Sequence, residues 1–266
     1  MSISKNNLSG IILAGGKSRR FGFNKIEVKI GKIPLFIDQV FKLSDFCNEV
    51  LIITSEKNRK FITSELSNIN AYSKYYPFSG LTGMEIAKVI NDERFCSSGL
   101  LIPEQAAGPI MGLYTGLKNA CGKYSIVLAF DMPFISKKLL SVLAGGLAKE
   151  GATPGIDARI IKTVKGFEVL CGFYNASCLK YLENNIVKNR YKISEIFDYI
   201  KIEIVGQEEL DENKIDSLNF FNINSVEDYY KFIDIWNNNK PQTTGNKINE
   251  SLNKQFIKNW ERFYLR

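Results

Sequence analysis

Two kinds of apolar pattern alternate along the chain. Short unbroken runs, Gly10-Ile11-Ile12-Leu13 and Val50-Leu51-Ile52-Ile53-Thr54, read as strands buried on both faces. Between them Phe36, Val40 and Leu43 recur at helical spacing behind Pro34, and Lys57 to Leu66 reads as a second helix. Strand, helix, strand, helix at these lengths predicts a parallel sheet with right-handed crossovers. Gly99 to Pro103 and Tyr124 to Phe130 continue the strands, with Gly108-Pro109 opening a helix between them. Residues 67–98 break the rhythm with turn signals (Pro77, Gly80, Gly83), aromatics (Tyr72, Tyr75, Tyr76, Phe78) and a short helical run from Met84 to Ile90, and are read as an insertion.

Beyond Gly151 the pattern changes. Asp157 to Thr163 and Phe167 to Tyr174 read as strands joined at Lys165-Gly166, a hairpin and hence an antiparallel edge. Leu179 to Ile186 and Ile193 to Ile200 are helical, and Ile202 to Val205 alternates like an edge strand. Phe220 to Asn224 alternates too, which puts Asn222 and Asn224 on one strand face. Ser225 then caps a helix from Val226 to Trp236, with Asp228 as its acidic partner. Residues 1–238 thus read as one α/β domain of three α/β/α layers, with a Rossmann-like, mostly parallel sheet. Residues 239–266 add an Asn-rich linker and a basic helix with Leu252, Phe256, Trp260 and Tyr264 every four residues. That helix is expected on its own domain, on a partner subunit or on an anionic membrane.

Composition narrows the chemistry. Histidine is absent from the 266 residues, which excludes Ser-His and Cys-His nucleophiles and His-ligated metals. The five cysteines are widely spaced without a C-x-x-C pair, so neither a disulfide framework nor a zinc site is indicated. No run approaches the length of a membrane span and no signal-peptide core opens the chain, which predicts a cytoplasmic protein. Of the net charge of +7, more than half lies in the last 27 residues, which hold six cations against two acids. The surplus suits an anionic substrate, but its placement does not predict nucleic-acid binding.

Two stretches carry candidate chemistry. After the first strand, Leu13 to Lys25 mixes Gly15, Gly16 and Gly22 with Lys17, Arg19, Arg20 and Lys25, a composition suited to holding phosphates. It is neither a P-loop, which needs glycine where Ile11 stands, nor a G-x-G-x-x-G fingerprint. A Gly-rich turn with solvated cations is the plain alternative. The second stretch is the strand that ends abruptly at Asp131-Met132-Pro133. A carboxylate there is costly unless a cation offsets its desolvation, and a hard divalent ion shared with substrate phosphates would do so. Its rival role is to cap the helix beginning near Ser136.

The spacing L-A-G-G-x-S-x-R-x-G-x-x-K from Leu13 to Lys25 resembles the signature loop of the molybdenum cofactor guanylyltransferase family, MobA-like nucleotidyltransferases. Gly108-Pro109-Ile110-Met111-Gly112 is similar to the family's element beside the guanine, although Glu104 stands where Asp is usual. Asp131-Met132-Pro133-Phe134 and Phe220-Phe221-Asn222-Ile223-Asn224-Ser225-Val226-Glu227-Asp228 resemble its metal-binding and pterin-side motifs.

The resemblance implies a fold of the nucleotide-diphospho-sugar transferase type and transfer of GMP from GTP to the phosphate of molybdopterin, with Mg²⁺ and release of pyrophosphate. It implies Lys25, Arg20 and Asp131 as catalytic residues, with Asp131 holding the metal. Leu13, Ala14, Gly15, Gly16, Ser18, Gly22 and Thr54 would join Arg20 and Lys25 around the triphosphate. Glu104, Gly108, Pro109 and Gly112 would border the base, and Arg190, Lys192, Asn222 and Asn224 the acceptor. Molybdoenzymes or cofactor-handling proteins are the implied protein partners. CTP as donor, another phosphorylated acceptor, or nucleotide binding without catalysis stay open at this level. All these readings require the Gly-rich collar and Asp131 to face one crevice.

Overall fold

A computed structural model describes residues 7–15, 24–72, 87–91, 108–145 and 155–238. In chain order these form β1 (Leu8–Leu13), a hairpin of β2 (Lys29–Ile30) and β3 (Ile33–Pro34), α1 (Leu35–Ser44), β4 (Glu49–Thr54), α2 (Glu56–Ser67), β5 (Ala87–Asn91), α3 (Pro109–Asn119), β6 (Tyr124–Ala129) and α4 (Lys137–Gly145). They continue with β7 (Ala158–Thr163), β8 (Gly166–Asn175), α5 (Leu179–Val187), β9 (Ile202–Val205), α6 (Gln207–Glu212) and α7 (Val226–Asn238).

The main sheet has seven strands in the order β5-β4-β1-β6-β8-β7-β9. All neighbours pair in parallel except β8, which is antiparallel to both β6 and β7. The expected mostly parallel α/β/α fold is therefore present. The expected hairpin is the antiparallel pair β7–β8, with β8 docked on β6, and β9 forms the rim, as its alternating pattern indicated. One correction concerns Met84 to Ile90. Residues 87–91 are the strand β5, paired with β4 from Val50↔Ala87 to Thr54↔Asn91. Val89 and Ile90 pack on opposite sides of the sheet, a period of two that the short helical reading mistook. This part of the presumed insertion belongs to the sheet, while the expected strand at 99–103 and the tail at 239–266 fall outside the described residues.

Every residue of β1 and β4 is buried, as strands covered on both faces must be. Successive side chains divide between two apolar layers. Ile12, Val50 and Ile52 meet Phe36, Val40 and Leu43 of α1 together with α2 and α4, whereas Ile11, Leu13, Leu51 and Ile53 meet α3 and α5. The second contact is close: a Cβ on Gly116 would lie 2.7 Å from Cγ2 of Ile11, so glycine there lets α3 lie directly on β1. A third cluster joins Val28, Ile30 and Leu35 to Ile223, Phe232 and Ile233, which draws α7 over the β2–β3 hairpin. Of the described cysteines, Cys47, Cys171 and Cys178 are buried and Cys121 is exposed. No described helix is long and apolar enough to cross a membrane.

Candidate active site

The strand order reverses at β1 and β6, which run side by side with Leu13 opposite Ala129. In an open α/β sheet the crevice beyond the carboxyl ends at such a point is where ligands bind. Both candidate stretches emerge there. The Ala14 N–H donates to the Ile53 carbonyl at 2.8 Å and the Phe130 N–H to the Leu13 carbonyl at 3.3 Å, so the ladder runs one residue past each strand before the chains part.

The chain re-enters the described structure at Asn24 and forms a 3-10 turn over Lys25–Glu27. Ile26 and Val28 are almost wholly buried. Each contributes about 1.5–3 kcal/mol, which offsets an ordering cost of about 1–2 kcal/mol per backbone residue. The turn is thereby held with the Lys25 side chain upward. Its Nζ lies 3.4 Å from Oδ2 of Asp131 and 3.2 Å from Oδ1 of Asn224. Residues from the first, middle and last parts of the chain converge on one ammonium group.

The turn bearing Asp131 is equally fixed. Gln39, on α1, donates its Nε2 to the carbonyls of Ala129 at 2.8 Å and Met132 at 3.4 Å, and the Asp131 carbonyl accepts the Ile223 N–H at 3.0 Å. Asp131 does not cap α4. Ser136 does so, accepting the Leu139 N–H at 3.1 Å on its hydroxyl. The capping alternative fails because the helix starts at Lys137, six residues after Asp131, and the carboxylate meets Lys25 instead.

Burial pushes the Asp131 carboxyl above its ordinary range, an effect that the Lys25 ammonium only partly reverses. Glu49, at the opposite end of the sheet, shows the contrast. Its burial would raise it too, but the Cys121 N–H, the Ser9 hydroxyl and Lys88 together hold it below its usual value. One carboxylate is a satisfied structural tie. The other is desolvated beyond what its neighbours compensate.

Other expected residues separate by position. Thr54 is buried at the end of β4, with its hydroxyl 3.4 Å from the Ala14 carbonyl, so it meets the end of β1 from the neighbouring strand. Gly108 is the N-cap of α3 and Pro109 its first residue; because α3 leads into β6, this end lies level with the strands' carboxyl ends. Residues 221–224 join no strand. Within them Asn222 donates to its own neighbour's carbonyl, Phe220, at 3.2 Å, and only Asn224 reaches Lys25. The capping pair is as expected: Asp228 accepts the N–H groups of Asn224 and Ser225, both at 3.0 Å, while Ser225 accepts that of Asp228.

Arg190 and Lys192 are exposed after α5, and no hydrogen bond among the described residues links them to the Lys25–Asp131 pair. Gly15 is half-buried at the crevice. Gly16, Ser18, Arg20, Gly22 and Glu104 lie outside the described residues.

Two contributors carried no sequence signal. Gln39 lies on an ordinary helix, and Asn58 lies in the first turn of α2; only their positions in space connect them to the site.

Comparison with known proteins shows the family. A protein of Desulfosudis oleivorans named molybdenum cofactor guanylyltransferase is 24% identical over 225 residues, covering 84% of this chain and 93% of that protein. A Clostridium perfringens protein named probable molybdenum cofactor guanylyltransferase is 28% identical, covering 85% and 96%. The crystal structure of molybdopterin-guanine dinucleotide biosynthesis protein A from Archaeoglobus fulgidus superposes with a TM-score of 0.61 at 25% identity, covering 85% of this chain and 97% of that one. Residues 10–198 match the family described as the MobA-like NTP transferase domain, and the chain belongs to that nucleotidyltransferase family.

Proposed function

We propose that the protein transfers GMP from GTP to the phosphate of molybdopterin, giving the guanine dinucleotide form of the cofactor. The observation that carries this reading is the meeting of Lys25 and Asp131 at the carboxyl ends of β1 and β6. An oxygen of the acceptor's phosphate attacks the α-phosphorus, the bond to the β-phosphate's bridging oxygen breaks, and pyrophosphate leaves with the electron pair. A phosphate monoester is already an anionic nucleophile near neutral pH, so a chain without histidine needs no general base. Catalysis then consists of positioning and charge neutralisation.

Lys25 would release Asp131 and bind a triphosphate oxygen, with Arg20 supplying a second cation. The backbone N–H groups of Gly15 and Gly16 would donate to phosphate, with Leu13, Ala14, Ser18 and Gly22 shaping the loop. The first turn of α3, Gly108 to Gly112, with Glu104 before it, would border the base. Asn224, with Asn222, Arg190 and Lys192, would face the acceptor.

Asp131 suits Mg²⁺ in this structure: it offers a hard, desolvated oxygen donor whose charge its neighbours leave partly uncompensated. Among the described residues no cluster of three acidic or cysteine side chains could enclose a metal, so further ligands would be phosphate oxygens and water, as Mg²⁺ favours. When bound, the ion would neutralise charge on the phosphates. The test is pyrophosphate release by the purified protein with molybdopterin, Mg²⁺ and each NTP in turn. Release with GTP is expected, while release confined to CTP, or none with any NTP, refutes the proposal.

A further inference from the structure

Between Ala14 and Asn24 the chain leaves β1 and returns as the Lys25 turn, and one buried side chain touches both ends of that excursion. Asn58 is only 5% exposed. Its Nδ2 donates to the Ala14 carbonyl at 3.3 Å, and its Oδ1 accepts from Nδ2 of Asn24 at 2.9 Å. Only this orientation of the amide serves both partners, since a carbonyl must receive and the Asn24 amide must give. The anchor is rigid: Asn58 is the third residue of α2, its N–H donates to the Ser55 carbonyl at 3.0 Å, and Ile62 and Leu66 of the same helix are buried in the core.

We propose that Asn58 is a positioning residue for the nucleotide site, its amide tying the end of β1 to the start of the Lys25 turn so that Lys25 is held against Asp131 and Asn224. The proposal rests on the triphosphate reading of the crevice. The Lys25 turn is held to the core by Ile26 and Val28, and Asn24 adds a side-chain hydrogen bond to α2. Without the amide, the residue preceding Lys25 loses its side-chain partner, and among the described residues the Ala14 carbonyl keeps only the long contact from Thr54. A site whose supporting groups are loosened by a fraction of an ångström loses affinity for the group it was shaped to hold.

The experiment measures binding of Mg²⁺·GTP and of Mg²⁺·tripolyphosphate, which lacks base and sugar, to the full chain and to Asn58→Leu, Asn58→Asp and Asn24→Ala. Asn58→Leu should weaken both ligands about tenfold, the scale of lost outer-shell contacts. Asn58→Asp keeps the acceptor for Asn24 and should fall between, remaining informative if the leucine variant folds poorly. The Asn24→Ala/Asn58→Leu double variant should bind no more weakly than Asn58→Leu alone, since the two residues act as one unit. In turnover the KM for the NTP should rise while that for the acceptor stays unchanged. Wild-type affinity in the Asn58 variants, or multiplicative losses in the double variant, overturns the role of Asn58 alone. If the parent protein binds neither ligand, both the site reading and this inference fall. If binding behaves as expected but no pyrophosphate is released with any acceptor, the transfer reading falls and Asn58 keeps its role.

Discussion

Lys25 and Asp131 stand 106 residues apart in the chain, and their Nζ and Oδ2 atoms are 3.4 Å apart in the fold. The contact is long for a charge-assisted hydrogen bond and mostly shielded from solvent, with side chains 14% and 18% exposed. A pair held this loosely in a dry place is suited to being opened by a ligand that carries both charges, a cation for the carboxylate and an anion for the ammonium.

Removing either partner should therefore abolish chemistry and spare the fold. Lys25→Ala and Asp131→Ala are expected to lower turnover by about two orders of magnitude or more, the scale of lost transition-state charge stabilisation. Circular dichroism and gel filtration should match the parent protein. Near-normal turnover in either variant contradicts the assigned roles.

The raised ionisation of Asp131 predicts a pH-dependent penalty. Because its folded value exceeds the unfolded one, ionisation costs stability once pH rises above the unfolded carboxylate range, and the cost is absent below it. In EDTA, Asp131→Asn should melt close to the parent protein at acidic pH and gain on it as pH rises through the carboxylate range. A relative loss over that interval would show that Lys25 outweighs desolvation.

Gln39 braces the Asp131 turn by donating to the carbonyls on both sides of it, and its Oε1 is buried without a partner among the described residues. Gln39→Leu keeps the volume and drops the donor. The Mg²⁺ concentration for half-maximal activity should rise about tenfold or more, as for lost outer-shell support, with little change in the KM for the acceptor. An unchanged Mg²⁺ requirement argues against the brace.

Gly116 tests the packing beneath the site. A side chain there must displace Ile11, whose Cγ2 lies 2.7 Å from where a Cβ would be built. Gly116→Val should destabilise the protein by about 1–3 kcal/mol, the usual range for overpacking. Urea unfolding measures it, and a neutral result would mean that α3 shifts freely on β1.

Local pattern was enough for several elements because the physics there is local. Runs buried on both faces announce β1, β4 and β6 wherever they sit, and Ser225 and Asp228 bond within one helical turn. The short strand β5 was misread because five residues do not distinguish a period of two from a helical turn, and its identity comes from pairing with β4. The Lys165-Gly166 turn announces the β7–β8 hairpin, but a hairpin does not specify which of its two strands docks on β6.

The chain's own order of residues determined the family, the candidate charges and the end of the sheet at which they emerge, since a Gly-rich turn after one strand and a lone acid after another are read without coordinates. Tertiary structure alone decided which polar groups face each other. It set Asn224 on Lys25 and turned Asn222 to its own backbone, and it brought Gln39 to the Asp131 turn and Asn58 to the end of β1 from unremarkable helices. The reason is that a hydrogen bond between distant residues is fixed by how whole layers pack, and the relative placement of layers is a property of all the buried side chains together.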